Sequence, residues 1–287
     1  SYTSYVKLNR DYAVKNLFAA KEFSTQLYSW CYPVIGCASY RGYFDEDMLH
    51  QDRAELNRQG YDTYVAKVTA YSTLGWDTDP VLSSFLEWPE YRLVGLIFHE
   101  LAHQQIYIDD DTFFNESFAM AVEQAGLERW YADSRHADQL AKYLDSKQRD
   151  KATIRLASQT RAELDNLYQQ AIPDSSKRQQ KDSIIRQLQQ HYALLAEKWE
   201  NGASPDILFN GEINNASLGI MAAYHKYVPA FLSILKSHNN DFLSFYSHVD
   251  RLGELTADHR QQCLLAWAGN SEQKSANIPA MCQLKPF

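Results

Sequence analysis

Tyr91-Arg92-Leu93-Val94-Gly95-Leu96-Ile97-Phe98-His99-Glu100-Leu101-Ala102-His103 is the stretch from which the rest of the chain is read. Leu93, Leu96, Ile97 and Leu101 fall at helical spacing, and Pro89 stands where a helix would begin, so the run is expected to be a buried helix. Its end reads H-E-x-x-H. Residues four apart on a helix sit one turn above each other, so His99 and His103 point the same way. Two neutral imidazoles on one face are a zinc-binding pair, and Glu100 beside the first is placed to take a proton from water. Amphipathic helices also produce this pattern by chance, so the third ligand decides.

A catalytic zinc needs that third protein ligand and an open position. Asn115 comes twelve residues after His103 and opens Asn115-Glu116-Ser117-Phe118-Ala119-Met120-Ala121-Val122-Glu123. Asp111 or Thr112 can cap this second helix, which is expected to run to about Asp133. Glu116 and Glu123 share one face, two turns and roughly 10 Å apart, too far to hold one ion together. The expected ligand set is His99, His103 and Glu116, with Glu123 behind it as an acceptor for a ligand histidine N–H. The reversed assignment, Glu123 as the ligand with nineteen residues between it and His103, stays open. One Zn2+ ion is the expected cofactor.

The Asn-Glu-Ser-Phe-Ala block after His-Glu-Leu-Ala-His resembles the gluzincin metallopeptidases, whose aminopeptidase N branch carries N-E-G and a further Glu seven positions on. The loop between the two motifs is shorter here than in that branch. Further blocks resemble a bacterial family of predicted aminopeptidases: Trp30-Cys31-Tyr32-Pro33 with Gly36-Cys37, Tyr40-Arg41-Gly42-Tyr43-Phe44-Asp45, Gly60-Tyr61-Asp62, Ala70 to Trp76, Asp79-Pro80-Val81-Leu82 and Asn214-Asn215-Ala216. The resemblance is strong over about 11–130 and looser beyond. It implies a zincin-like core and peptide hydrolysis. It also implies that the strand before the HExxH helix, here Tyr71, Ser72, Thr73 and Leu74, lines substrate. An oxyanion-stabilising tyrosine or histidine is implied after the third ligand; Tyr224 is the candidate and His225 the second. The family's export signal implies the bacterial periplasm, with a lipid anchor upstream of this chain.

The 287 residues carry 45% hydrophobic and 22% charged side chains, enough for a sizeable core. A net charge of −8 with no basic run argues against a nucleic-acid partner. No apolar stretch reaches membrane-spanning length. The chain opens at Ser1 without a signal-peptide pattern, so a mature or trimmed segment is expected. Neither cysteine spacing is that of a zinc ribbon. Local pairs 31–37 and 263–282 suit an oxidising compartment, with four buried thiols as the alternative.

The fold expected is α+β and predominantly helical, with a small sheet beside the HExxH helix. Residues 1–133 would form the zincin-like catalytic part. Within it, Phe18-Ala19-Ala20 reads as a short helix or an arm packed on the body, 43–60 as a helix ending at Gly60, and Tyr61–Ser72 as a strand by its alternation. Residues 134–200, rich in Gln, Lys, Arg and Asp, read as a long helical hairpin broken at Pro173, and as a solvated scaffold with a lid or a partner surface as the alternative. Residues 201–287 would be helical and complete the cleft, with one helix carrying Tyr224, His225 and Tyr227.

An aminopeptidase also needs a carboxylate for the substrate ammonium. The segment Ala70–Gly75 contains no acid, leaving Asp45, Asp77 or Asp79 and keeping an endopeptidase with the same zinc chemistry as an alternative. A non-catalytic module with structural zinc would need a fourth ligand, for which His225 is the conspicuous candidate. Such a module has no need of Glu100.

Overall fold

The structure is a computed structural model that describes residues 1–32, 36–70, 73, 77–132, 136–199, 213–269 and 278–283, without the side chains of 222–224. It is predominantly helical with small sheets. Strand β1 (Tyr5–Val6) pairs in parallel with β7 (Val81–Leu82). Strand β2 (Val14–Lys21) is the middle of an antiparallel sheet between β5 (Arg41–Tyr43) and β6 (Tyr61–Val68). Strands β3 (Trp30–Tyr32) and β4 (Gly36–Ala38) form a separate hairpin, crosslinked by Cys31–Cys37.

Phe18-Ala19-Ala20, expected as a short helix or a packed arm, instead lies in the second half of strand β2. Both faces of this strand are covered. Leu17 packs with Tyr43 and Leu49, on the side of helix α1 (Glu46–Arg58), whereas Phe18 and Ala20 pack with Tyr64, Ala66 and Ala216 on the other. A strand buried on both faces reads as a continuous apolar run, and alanine's helix propensity then misleads. Asp45 caps α1 by accepting the Met48 N–H, and Gly60 beyond it has φ +82, the left-handed conformation glycine adopts freely.

Helix α2 (Glu90–Gln105) lies along α3 (Thr112–Trp130). The hairpin follows as α4 (Ala137–Tyr168) and α5 (Asp174–Ala196), with Pro173 at the turn. The last third is α6 (Asn215–His225), α7 (Val228–Ser237), α8 (Phe242–Gly253) and α9 (Ala257–Ala268). Tyr227 is not in the helix of Tyr224 and His225; it begins α7, where Pro229 suits the first turn of a new helix.

Residues from α2, α3 and α7–α9 share the largest core, in which Phe114, Phe118, Phe231 and Phe245 are at most 1% exposed. Each such burial contributes about 2–3 kcal/mol. Cys263–Cys282 closes this core at the far end of the chain. No helix among the described residues is long and apolar enough to cross a membrane.

Candidate metal centre

Helix α2 turns its chemical face inward. Glu100 and His103 are each 8% exposed and Ala102 is buried, whereas Leu101, expected in the core, is 39% exposed. The buried stripe is set by the packing of α3 against α2, not by the leucine periodicity. The rings of His99 and His103 lie 4.9 Å apart, one turn above each other.

Two glycines let the helices approach. A Cβ at Gly95 would stand 3.0 Å from Leu127 Cδ1 and 3.3 Å from Glu123 Cγ, and one at Gly126 would stand 2.8 Å from the Phe98 ring. The turn between the helices is held by Asn115, whose Oδ1 accepts the Ile108 N–H while its Nδ2 donates to the Ile108 carbonyl, both at 2.8 Å. Asp111 caps α3 by accepting the Phe114 N–H. Ser117 Oγ accepts the Tyr227 N–H at the start of α7. Asn-Glu-Ser thus tethers the loop, faces the site, and joins the last third of the chain, in that order.

His99 Nε2 lies 3.4 Å from Glu116 Oε2, and His103 Nε2 lies 3.9 Å from the same oxygen. One ligand atom from each of these three residues falls within 4.8 Å of the others, and this is the group able to hold a metal among the described residues. Donors around a tetrahedral zinc at about 2.0–2.1 Å are separated by about 3.3 Å, so small side-chain movements would close the set. On the far side of His99, its Nδ1 lies 3.6 Å from Glu123 Oε2, and Lys147 Nζ lies 3.0 Å from Glu123 Oε1. His103 Nδ1 is buried without a hydrogen-bond partner.

The charges fit a cation. Burial alone would push the His99 imidazole down, but Glu116 and Glu123 outweigh it and hold it up at about 10. Burial, with the His99 charge, pushes His103 down to about 4 against the pull of Glu116. Burial raises the carboxyls of Glu116 and Glu123, yet their partners win and both end below the usual range, Glu123 at about 2. Glu100 goes the other way. Burial, aided by Glu116 and Asp79 and opposed by His99, raises it to about 7. Two ionised carboxylates around a histidine pair offer the negative charge that a divalent ion neutralises.

A family model described as "Putative aminopeptidase" matches residues 1–264. The chain belongs to that family. No curated protein and no solved structure matches it. Membership in an aminopeptidase family gives the cluster of His99, Glu100, His103 and Glu116 a hydrolytic context that the metal-ligating geometry alone lacks.

Other expected site residues fall differently. Tyr71, Ser72 and Leu74 lie outside the described residues, as does the side chain of Tyr224, whose backbone is in α6. Thr73 donates its N–H to the Asp79 carboxylate, 3.1 Å from Oδ1. Of the three acids considered for the substrate ammonium, Asp45 is occupied as the cap of α1 and Asp77 is exposed. Asp79 is 3% exposed, accepts from Gln104 Nε2 at 2.9 Å, and is close enough to raise Glu100. Burial pushes the His225 imidazole down to about 4, helped by the charges of Lys147 and His99 and opposed by that of Glu123.

Sequence reasoning missed Tyr2, Tyr40 and Lys147. Burial raises both phenols, and the Glu100 charge adds to it in each; Glu116 also bears on Tyr40, and the Tyr2 hydroxyl is buried without a partner. Tyr40 stands in one of the blocks that carry the family resemblance, which was the available signal. Tyr2 has a left-handed backbone, φ +61, and no sequence signal marked it.

Proposed function

We propose that this chain is a zinc-dependent peptidase of the gluzincin type with a zincin-like core, and that it acts as an aminopeptidase on peptides in the bacterial envelope. The observation that carries the reading is the meeting of His99, His103 and Glu116 within 4.8 Å, with the Glu100 carboxyl beside them held near neutrality. His99, His103 and Glu116 would hold the ion, and Glu123 would accept from the His99 Nδ1–H. When bound, zinc polarises the scissile carbonyl and makes water acidic enough to attack at neutral pH.

Glu100 takes the proton of the attacking water and returns it to the leaving amine. A group whose pKa lies near the working pH does both halves of that task well, and burial supplies that pKa here. Segment 71–74 would align the substrate backbone. Tyr224 would donate to the oxyanion, with Tyr40, whose phenol feels the charges of Glu116 and Glu100, as a further candidate for the same task. The three-part division at 134 and 201 belongs to this reading. The two disulfides support the oxidising compartment, and the upstream lipid anchor remains an implication of the family resemblance.

The test compares the parent with Glu100→Gln on fluorogenic peptides with free and blocked amino termini, alongside zinc content. The parent should hold one zinc and cleave the free-amine peptide. Glu100→Gln should keep the zinc and lose about 10²–10⁴ in rate. Cleavage of the blocked peptide at equal rate would make the enzyme an endopeptidase, and a fully active Glu100→Gln enzyme would end the mechanism. On the acid side, kcat/KM should fall as Glu100 takes up its proton, at or below pH 7 because a bound cation lowers that pKa further.

A further inference from the structure

Helix α4 reaches the back of the metal centre. Lys147 Nζ lies 3.0 Å from Glu123 Oε1 while the other oxygen of that carboxylate lies 3.6 Å from His99 Nδ1. The three side chains are largely withdrawn from water, with 23%, 18% and 14% of their surfaces exposed. A carboxylate so placed keeps one orientation only if charged and hydrogen-bonding neighbours fix it. Lys147 takes one oxygen and leaves the other turned to His99. The lysine is itself guided, its Nζ lying 5.4 Å from the Tyr143 ring centroid one turn earlier on α4.

We infer that Lys147 is a positioning residue for the His99 ligand: it pins the Glu123 carboxylate against the imidazole and so makes docking of the hairpin a determinant of metal affinity. This rests on the metal reading above. The hairpin, expected to be a solvated scaffold, then becomes part of the machinery that holds the metal. A plain interhelical tie would add to fold stability and leave the affinity for zinc alone.

The experiment is zinc titration of the metal-free chain against a competing chelator, with the thermal midpoint of the metal-free protein measured alongside. K147M should weaken zinc binding about 10–100-fold, the usual effect of losing a group behind a ligand. K147R, which keeps the charge, should recover most of that loss. K142M removes an exposed lysine of the same helix, paired with Asp138 at 3.5 Å, and should change nothing. On an E123Q background K147M should have no further effect, because the lysine acts through that carboxylate. Should K147M fold poorly, K147Q gives the same readout. Parent-like zinc affinity in K147M or K147Q, equal loss in K147R, or an undiminished effect on the E123Q background overturns the proposal. A parent chain that binds no zinc overturns the peptidase reading itself, and the first titration shows this before any variant is made.

Discussion

Helix α2 and hairpin helix α4 both place charged or chargeable groups near His99, by opposite routes. In α2 the groups lie within five residues and their alignment follows from the helical repeat. In α4 Lys147, among many exposed charges, reaches Glu123, and nothing in its immediate sequence separates it from Lys142 five residues earlier. Lys147 is 23% exposed where Lys142 is 59% exposed, and that difference comes from what each meets on the body of the protein. On the reading proposed above, the two histidine ligands are local to one helix while the groups that orient them are supplied from a distance.

The sharpest test of this comparison removes one carboxylate from each layer. Glu116→Ala should abolish stoichiometric zinc and, with it, hydrolysis. Glu123→Ala should weaken zinc by about 10–100-fold and leave a measurable activity at saturating metal. Chelator competition on both variants checks the order. Zinc lost first from the Glu123 variant would reverse the assignment and make α4 a direct neighbour of a ligand.

A second test asks whether the hairpin is firmly docked away from the site. Lys181 Nζ lies 2.6 Å from Asp62 Oδ2 and 3.0 Å from the Glu22 carbonyl, and Asp62 also accepts the Asn215 N–H. K181M leaves that carboxylate without its cation and should cost about 3 kcal/mol in denaturant unfolding, with zinc affinity of the folded protein unchanged. A fall in zinc affinity would mean that the two ends of the hairpin are coupled.

The smallest expected effect is at the disulfides. Cys31 is exposed, whereas Cys263 and Cys282 are fully buried, so mild reductant should open the first pair and spare the second. Each crosslink contributes about 2–3 kcal/mol in the loop-entropy account. Hydrolysis should survive loss of the 31–37 bond, as peptide mapping beside an activity assay would show. Strong inactivation would tie the β3–β4 hairpin to the site, through the Asp110 carboxylate that accepts the Cys37 N–H on the loop after α2.

Much of the architecture was legible because it is local. The helical hairpin, its break at Pro173, the left-handed Gly60 and the pairing of near cysteines all follow from short-range geometry. Phe18-Ala19-Ala20 was misread as helical because a strand covered on both faces has no alternation to show. Leu101 was misplaced for the reverse reason: it keeps the helical period, yet α3 covers a different face of α2.

By itself the sequence determined which residues lie one turn apart, and so which imidazoles and carboxylates share a face, because backbone hydrogen bonding fixes the helical repeat whatever surrounds it. Only the tertiary structure decided that Gly95 and Gly126 bring α2 and α3 close, that the Glu100 charge bears on the phenols of Tyr2 and Tyr40, and that Lys147 of α4 meets Glu123. Those contacts join residues dozens of positions apart, and they depend on how packed surfaces fit, which no local period encodes.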